Sequence, residues 1–130
     1  MAAEDWDWTR VIFDHVQIAA RDLPASVAFY RTVLAPLDIP VLAEWENAVQ
    51  FANLVVTTKE TPGGPGHIAF VAASPAQVDA FHRAGIEAGY EDHGRPGIRE
   101  RYSSDVGGQY YAAFLLDPDG NNIEAVHRIF

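Results

Sequence analysis

The sequence predicts an α+β domain built from two similar halves. The main observation is a repeat with a period of about 50 residues, in which a strand is followed by a polar helix cap, a proline and a helix with an apolar stripe. A second observation is a closing hairpin whose turn, Asp117-Pro118-Asp119-Gly120, has proline and glycine where such turns favour them. Because two copies are too few for a long array, we expect one pseudo-symmetric domain.

The composition is that of an ordinary globular protein and narrows the classes of partner. The 130 residues are 48% hydrophobic and 21% charged, contain no cysteine and carry a formal charge of −9. This charge argues against nucleic acid as a partner, because binding phosphates needs a clustered basic face. No stretch resembles a signal peptide or a membrane span, so we expect a cytoplasmic protein without a membrane partner.

We expect an N-terminal arm over residues 1–10 and one domain over 11–130, with a first module at about 11–60 and a second at about 66–130. The arm carries Trp6 and Trp8 among acidic residues without any periodicity. It is either a frayed tail or a segment that packs on a partner subunit.

The first module reads as a strand, a helix and several short strands. We predict a strand over 11–19, a helix from an N-cap at Asp22 to about Leu34, two or three strands over 41–58, and a Gly- and Pro-rich loop over 60–66. In the first strand His15 and Gln17 share one face, because side chains alternate along a strand.

The second module repeats this order. We predict a strand over His67–Val71, a helix capped by Ser74 with Pro75 at its first position and Val78, Phe81 and Ile86 on its buried side, a short strand and then a loop over 90–104, and a hairpin over 109–128. His15 precedes Asp22 by seven residues, and His67 precedes Ser74 by seven. The two histidines therefore occupy equivalent positions.

A carboxylate joins these histidines in the prediction. Glu124 lies inside the returning strand of the hairpin, where Ile123 and Ala125 take the helix-facing side. A buried carboxylate is costly unless it is paired, and a cation is one such partner. His15, His67 and Glu124 thus form a candidate facial triad for Fe, Mn, Ni, Co or Zn, with positions left open for substrate or water. The alternative is that these histidines are ordinary hydrogen-bonded strand residues.

The motifs resemble those of the vicinal oxygen chelate superfamily, which contains glyoxalase I, fosfomycin-resistance transferases, extradiol dioxygenases and bleomycin-resistance proteins. The resemblance covers about residues 12–128 and rests on three segments: Asp14-His15-Val16 with the helix from Asp22 to Tyr30, Gly66-His67-Ile68-Ala69-Phe70, and Asp117-Pro118-Asp119-Gly120-Asn121-Asn122-Ile123-Glu124. It implies two tandem βαβββ modules that form an open, cup-shaped, barrel-like mixed sheet with the helices outside. It also implies that His15, His67 and Glu124 are metal ligands.

One feature departs from the glyoxalase I pattern. That resemblance implies a fourth protein ligand on the last strand of the first module, but residues 53–58 offer no acid or histidine there. Three ligands are closer to the dioxygenase and transferase patterns. Dioxygenases of this kind usually have additional modules, however, and a fosfomycin enzyme should have a more basic pocket.

The late loop and the start of the hairpin supply candidate substrate-binding residues: Arg99, Tyr102, Tyr110 and Tyr111. An arginine can bind a carboxylate through two hydrogen bonds, and a tyrosine can donate one. Because Tyr110 and Tyr111 point to opposite faces of their strand, at most one of them faces the cup.

The first hypothesis is a metal-dependent lyase or isomerase, or a dioxygenase, that acts on a small oxygen-chelating substrate, with Glu124 able to serve as a base. The alternative is a metal-free drug- or metabolite-binding protein of the bleomycin-resistance type. A third possibility is a fold that has lost its site and serves an interaction. The resemblance also implies a homodimer, in which a second copy completes or covers the cup.

Overall fold

The computed structural model describes residues 5–60, 62–105 and 107–130 and contains two four-stranded sheets, each with one helix. The first half comprises β1 (Val16–Ala19), α1 (Leu23–Leu34), β2 (Val41–Glu44), β3 (Ala48–Phe51) and β4 (Leu54–Thr57). The second half comprises β5 (His67–Val71), α2 (Pro75–Glu87), β6 (Glu91–Ile98), β7 (Gln109–Leu116) and β8 (Asn122–Ile129). Short 3₁₀ turns follow α1 at Ala35–Leu37 and β6 at Glu100–Tyr102.

The two sheets have the same topology. Their strand orders are β1-β4-β3-β2 and β5-β8-β7-β6. In each half the first strand runs parallel to the last, and the remaining pairs are antiparallel. The predicted α+β fold with two βαβββ modules and open sheets is therefore confirmed.

Both helices begin where the sequence predicts. The Asp22 carboxylate accepts a hydrogen bond from the backbone N–H of Ala25 at 3.1 Å, and the Ser74 hydroxyl accepts one from Gln77 at 3.2 Å. Each cap satisfies an N–H that has no partner inside its helix, and a proline occupies the first turn in both cases. No helix in the described ranges has the length and apolar character needed to cross a membrane.

One apolar core joins the two halves, because α1 and α2 contact each other as well as their own sheets. Phe29 from α1 packs edge to face on Tyr90, with ring centroids 4.8 Å apart, and Phe81 and Leu115 belong to the same buried cluster. Each helix thus covers one face of its sheet. The other face of the second sheet stays open, and Val71 on it is 82% exposed.

The turn between β7 and β8 ties the second half to the first. Asp117 accepts hydrogen bonds from the backbone N–H groups of Asp119 and Asn121, which fixes the predicted turn. It also accepts a bond of 2.6 Å from the Tyr30 hydroxyl of α1. Burial, together with the nearby Asp117 charge, raises the pKa of Tyr30, so its hydroxyl stays a donor.

The segment over 90–104 differs from the prediction. Most of it is the eight-residue strand β6, not a loop, and its pairing with β7 shifts register on both sides of Gly94. β6 lies at the edge of its sheet, where Pro96 and bulges are tolerated because one side needs no ladder hydrogen bonds. The glycine and proline residues that predicted a loop therefore lie in an irregular edge strand.

Two smaller predictions are also wrong. The first strand begins at Val16, so the stretch from 11 to 15 precedes it. Ile86 is 42% exposed, whereas His82 and Gly85 lie on the buried side of α2 with Val78 and Phe81. The apolar stripe of α2 is thus narrower than its sequence suggests, because a histidine and a glycine complete it.

Candidate functional site

A cleft of about 480 Å³ lies on the open face of the second sheet. We call it the His67 cleft; its lining residues are His67, Tyr102, Tyr110, Phe114, Asn122, Glu124 and Arg128. These side chains come from β5, β7, β8 and the 3₁₀ turn after β6. The cleft therefore depends on the register of three neighbouring strands.

Glu124 is the buried acid of this cleft. It is only 1% exposed, while Ile123 and Ala125 on either side face the helices and belong to the core. The Tyr110 hydroxyl donates a hydrogen bond of 2.5 Å to Oε2 of Glu124, and Nε2 of His67 lies 2.9 Å from Oε1. The alternation predicted from the sequence thus places Glu124 as expected.

The orientation of His67 is set by its own sheet. Nδ1 lies 3.1 Å from the backbone carbonyl oxygen of Asn122, which can only accept, so Nδ1 carries a proton. In a neutral ring Nε2 is then a lone pair that faces a carboxylate oxygen. Two acceptor atoms 2.9 Å apart need a proton or a metal ion to bridge them.

The spacing of the two donor atoms fits a metal ion. Donors bound side by side to one ion, each about 2.1 Å from it, stand about 3 Å apart. In addition, the side-chain oxygen of Asn122 is buried and has no hydrogen-bond partner among the described residues. Imidazole nitrogen and carboxylate oxygen also suit the divalent ions predicted from the sequence.

Tyr110 and Arg128 complete one wall. Burial and the hydrogen bond to Glu124 raise the pKa of Tyr110, so it stays a neutral donor. The Arg128 guanidinium lies 5.0 Å from the Tyr110 ring centroid and 3.8 Å from that of Trp8. Arg128 was not predicted from the sequence, although it shares the strand face of Glu124 at a spacing of four residues.

The predicted substrate-binding residues divide into three groups. Tyr102 lines the His67 cleft and contacts Tyr110 edge to face, with centroids 5.3 Å apart. Arg99 lines an adjoining cleft that shares Tyr102 and Phe114. Tyr111 lies on the opposite face, where its hydroxyl donates to Asp79 of α2 at 2.6 Å. The expectation for Tyr111 is therefore corrected: it packs on the helix, and Tyr110 faces the cup.

His15 lies elsewhere in the chain. Its Nδ1 is 2.8 Å from the Asp14 carboxylate, and it lines a different cleft, together with Gln17, Asn53 and Val55. Over 5–60, 62–105 and 107–130 no three His, Cys, Asp or Glu side chains are grouped closely enough to hold a metal ion. Within one chain the structure thus brings His67 and Glu124 together and leaves His15 apart.

The strand register explains the missing fourth ligand. β1 and β4 pair with Gln17 opposite Val55, and β5 and β8 pair with Ala69 opposite Glu124. Since His15 and His67 are equivalent, Val55 occupies the position of Glu124 in the first half. β4 therefore holds a valine where β8 holds a carboxylate.

Of the other histidines, His82 and His127 have structural contacts. His82 lies 2.8 Å from Asp92, and His127 Nδ1 lies 2.9 Å from the Ala72 carbonyl oxygen. The hydrogen bond from His82, followed by one from the Gly94 backbone, holds the pKa of Asp92 below its usual range. His93 is exposed on the edge strand.

Comparisons with known proteins agree with this architecture. A crystal structure of a glyoxalase/bleomycin resistance protein from Albidiferax ferrireducens T118 is 37% identical, with a TM-score of 0.75 over 89% of this chain and 98% of that one. Lactoylglutathione lyase from Agrobacterium tumefaciens shares the fold at 21% identity, with a TM-score of 0.65 over 90% of this chain and 92% of that one.

The uncharacterized protein YqjT of Bacillus subtilis (strain 168) is 28% identical over 126 residues, which cover 86% of this chain and 95% of YqjT. The family model of the Glyoxalase/Bleomycin resistance protein/Dioxygenase superfamily matches residues 12–125. That match begins before β1, ends within β8 and includes both His67 and Glu124. The chain belongs to the Glyoxalase/Bleomycin resistance protein/Dioxygenase superfamily.

Proposed function

We propose that this protein is a metal-dependent enzyme of the lyase or isomerase type, with dioxygenation as the other chemistry of the same site. The observation that carries the proposal is the 2.9 Å approach of His67 Nε2 to the buried Glu124 carboxylate. Its substrate is a small molecule with neighbouring oxygen atoms. His67 and Glu124 would hold a divalent ion, which would supply Lewis-acid stabilisation of negative charge on substrate oxygens.

The protein's own residues support proton transfer. Tyr110 holds Oε2 of Glu124, so that Oε1 faces the cleft beside His67. A carboxylate oxygen fixed in this way faces the place where a substrate proton would be abstracted, as a general base requires. In the isomerisation of an α-hydroxy carbonyl compound, Glu124 would take the proton from the hydroxyl-bearing carbon and return it to the carbonyl carbon. The hydroxyl proton would pass to the former carbonyl oxygen, so that the two groups exchange places.

We infer that His15 reaches this site from a second copy of the chain. The support is that His15 lies outside the His67 cleft of its own chain and next to an exposed apolar stretch, Val11-Ile12-Phe13. Val71 on the edge strand β5 is exposed as well. Edge strands with exposed apolar side chains are suited to covering by another subunit. A twofold dimer would form two equivalent sites.

Metal content tests the enzyme proposal. Untagged protein, His67→Ala and Glu124→Gln are compared by elemental mass spectrometry and by titration with Zn, Mn, Fe, Co and Ni. We expect near-stoichiometric metal in the wild type and loss in both variants. His127→Ala is the matched control, because the His127 ring lies outside the His67 cleft, 2.9 Å from the Ala72 carbonyl oxygen. A wild-type protein that refuses every ion would contradict the proposal.

Mixing variants tests the origin of the third ligand. His15→Ala and His67→Ala are each expected to lose metal alone. If the site spans two subunits, unfolding and refolding them together restores about a quarter of the sites, since half of the dimers are mixed and each has one intact site. No restoration, with dimers present, would show that both histidines act within one chain.

A second candidate function is metal-free binding of a drug or metabolite. The observation that favours it is the aromatic lining of the His67 cleft: the His67 and Phe114 rings are stacked with centroids 6.2 Å apart, and Tyr102 and Tyr110 lie beside them. Flat apolar compounds bind such walls. Protein that holds no metal but binds aromatic compounds tightly would favour this function over catalysis.

A further inference from the structure

The His67 cleft contains a guanidinium group that the proposed proton transfer does not use. Arg128 follows Glu124 by four residues on β8 and lines the same cleft. Among the described residues no carboxylate forms an ion pair with it, whereas Arg21 and Arg31 each have one. A half-buried arginine without a carboxylate partner is suited to bind an anion.

Two aromatic rings hold this guanidinium in place. The Trp8 ring centroid lies 3.8 Å from the Arg128 carbon Cζ, and the Tyr110 centroid lies 5.0 Å from it. Contacts with ring faces are favourable for a cation and leave the N–H groups at its edge available. Of these groups, Nη1 donates to the Gly107 carbonyl oxygen at 3.2 Å.

Arg99 differs from Arg128 in this respect. Its Nη1 donates to the Gly97 carbonyl oxygen at 3.0 Å and its Nη2 to that of Arg95 at 2.6 Å. Both terminal nitrogens of Arg99 are therefore bound to the edge strand β6, which ends just before it. Arg128, not the Arg99 predicted from the sequence, has the more available donors.

We propose that Arg128 binds the carboxylate of a small organic acid in the His67 cleft and that Trp8 is its positioning residue. A carboxylate matches the planar fork of an arginine through two parallel hydrogen bonds. The rings of Phe114 and Tyr102 would contact the body of the acid, and its other end would reach His67 and Glu124. Binding of the acid by Arg128 does not depend on the proposed function; only the identification of this acid as the substrate of His67 and Glu124 rests on it.

The probe is benzoate, with neutral benzamide as its isostere and phenylphosphonate as a second anion. Each is titrated into metal-free, full-length protein, and the indole N–H signals of Trp6, Trp8 and Trp45 are followed by NMR. The signal that disappears in the Trp8→Phe variant identifies Trp8. We expect benzoate to shift the Trp8 signal in a saturable way. Benzamide should bind at least about tenfold more weakly, because it lacks the charge that the guanidinium recognises.

Four variants separate charge from geometry. Arg128→Gln should weaken benzoate binding by about tenfold or more, and Arg128→Lys should fall between, because lysine keeps the charge without the planar fork. Trp8→Ala should weaken it by about threefold through loss of the cation–π contact. Gly107→Ala keeps every charge, but its Cβ would stand 2.5 Å from Arg128 Nη1 and displace the guanidinium, so binding should fall.

Arg83→Gln is the matched control, because Arg83 is exposed on α2 and lies outside the His67 cleft. Benzoate affinity that is unchanged in Arg128→Gln but lost in Arg99→Gln would overturn the proposal. So would binding of phenylphosphonate without binding of benzoate, since it would replace the carboxylate by another anion.

Metal titration of the same samples keeps the two proposals apart. Arg128→Gln should still bind metal like the wild type, because Arg128 is not a ligand. If benzoate binding depends on Arg128 but the protein binds no metal ion, carboxylate binding by Arg128 is supported and the proposal of a metal-dependent enzyme is contradicted. If the protein binds metal but benzoate binding does not depend on Arg128, the enzyme proposal is supported and carboxylate binding by Arg128 is contradicted.

Discussion

The two sheets have one topology but different chemistry on their open faces. In the second sheet Ala69 lies opposite Glu124, which pairs with His67 and Tyr110. At the matching place in the first sheet Gln17 lies opposite Val55. Val56, next to Val55, and Ala125, next to Glu124, both face the helices, and both are fully buried and apolar.

This contrast shows which part of a duplicated module is free to vary. The helix-facing side must stay apolar, because it packs into the core that joins both halves. The open face has no such requirement, so one copy can hold a carboxylate where the other holds valine. Function in such a fold depends on the open faces, and the shared scaffold alone does not reveal it.

The largest effect should come from making the second sheet like the first. Glu124→Val removes the carboxylate and leaves His67 without its partner, so we expect metal affinity to fall by at least about 100-fold. Isothermal titration with the best-bound ion measures this. Val55→Glu, the reciprocal change, should not create a comparable site, because no Tyr110 equivalent supports it. If Glu124→Val kept its metal affinity, Glu124 would not be a ligand of the ion.

The hydrogen bond between Tyr30 and Asp117, which connects the two halves, should show the next largest effect, on stability. Tyr30→Phe removes one of the two side-chain hydrogen bonds to Oδ2 of buried Asp117; the other, from Asn121, remains. We expect the free energy of unfolding to drop by about 1–2 kcal/mol, because a buried carboxylate loses one donor. Urea unfolding followed by circular dichroism measures this. Tyr90→Phe serves as control; its hydroxyl has no hydrogen bond within the described residues, so a similar loss there would rule out the Asp117 contact as the cause.

The helix caps test whether the two halves are also alike in energy. Asp22→Ala and Ser74→Ala should each lower the free energy of unfolding by about 1 kcal/mol, since each leaves one backbone N–H of a first turn without its acceptor. Thermal unfolding of both variants and of Ala76→Ser, a first-turn change that removes no cap, gives the comparison. Clearly unequal losses would show that the modules are equivalent in shape only.

The smallest effect concerns pH and belongs to the second half alone. The lowered pKa of Asp92 means that its contact with His82 stabilises the fold above about pH 4, the usual range of an unfolded aspartate, and that this contribution is lost as the pH falls through the folded pKa. Asp92→Asn should therefore differ in stability from the wild type at pH 5.5 and converge with it near pH 2. An unchanging difference over that range would contradict the assignment.

Local patterns in the sequence were sufficient for much of the fold. β5 and both helix caps were predicted correctly, because a strand run and a capping side chain carry their signals within a few residues. β6 was not, because Gly94 and Pro96 also fit an edge strand that bends through bulges. Turn residues alone do not separate these two cases.

The candidate site was predictable where strand parity alone decides it. The pairing of His67 with Glu124 follows from the alternation along two neighbouring strands. The place of His15 depends on how the halves pack through α1 and α2, which no local pattern records. The contact between Trp8 and Arg128 likewise depends on where the arm lies, and so this arginine escaped notice.

The position of β8 has a consequence for how this chain acquires its fold. β8 lies between β5 and β7, although it is the last of the eight strands in the sequence. Its turn also supplies Asp117, whose partner Tyr30 lies 87 residues earlier. A nascent chain cannot complete its second sheet or the hydrogen bond that connects its halves until this strand has been synthesised. Contacts over such separations slow folding. The first sheet can pair all of its own strands early, but α1 lacks the Asp117 partner of Tyr30 until the turn before β8 has formed.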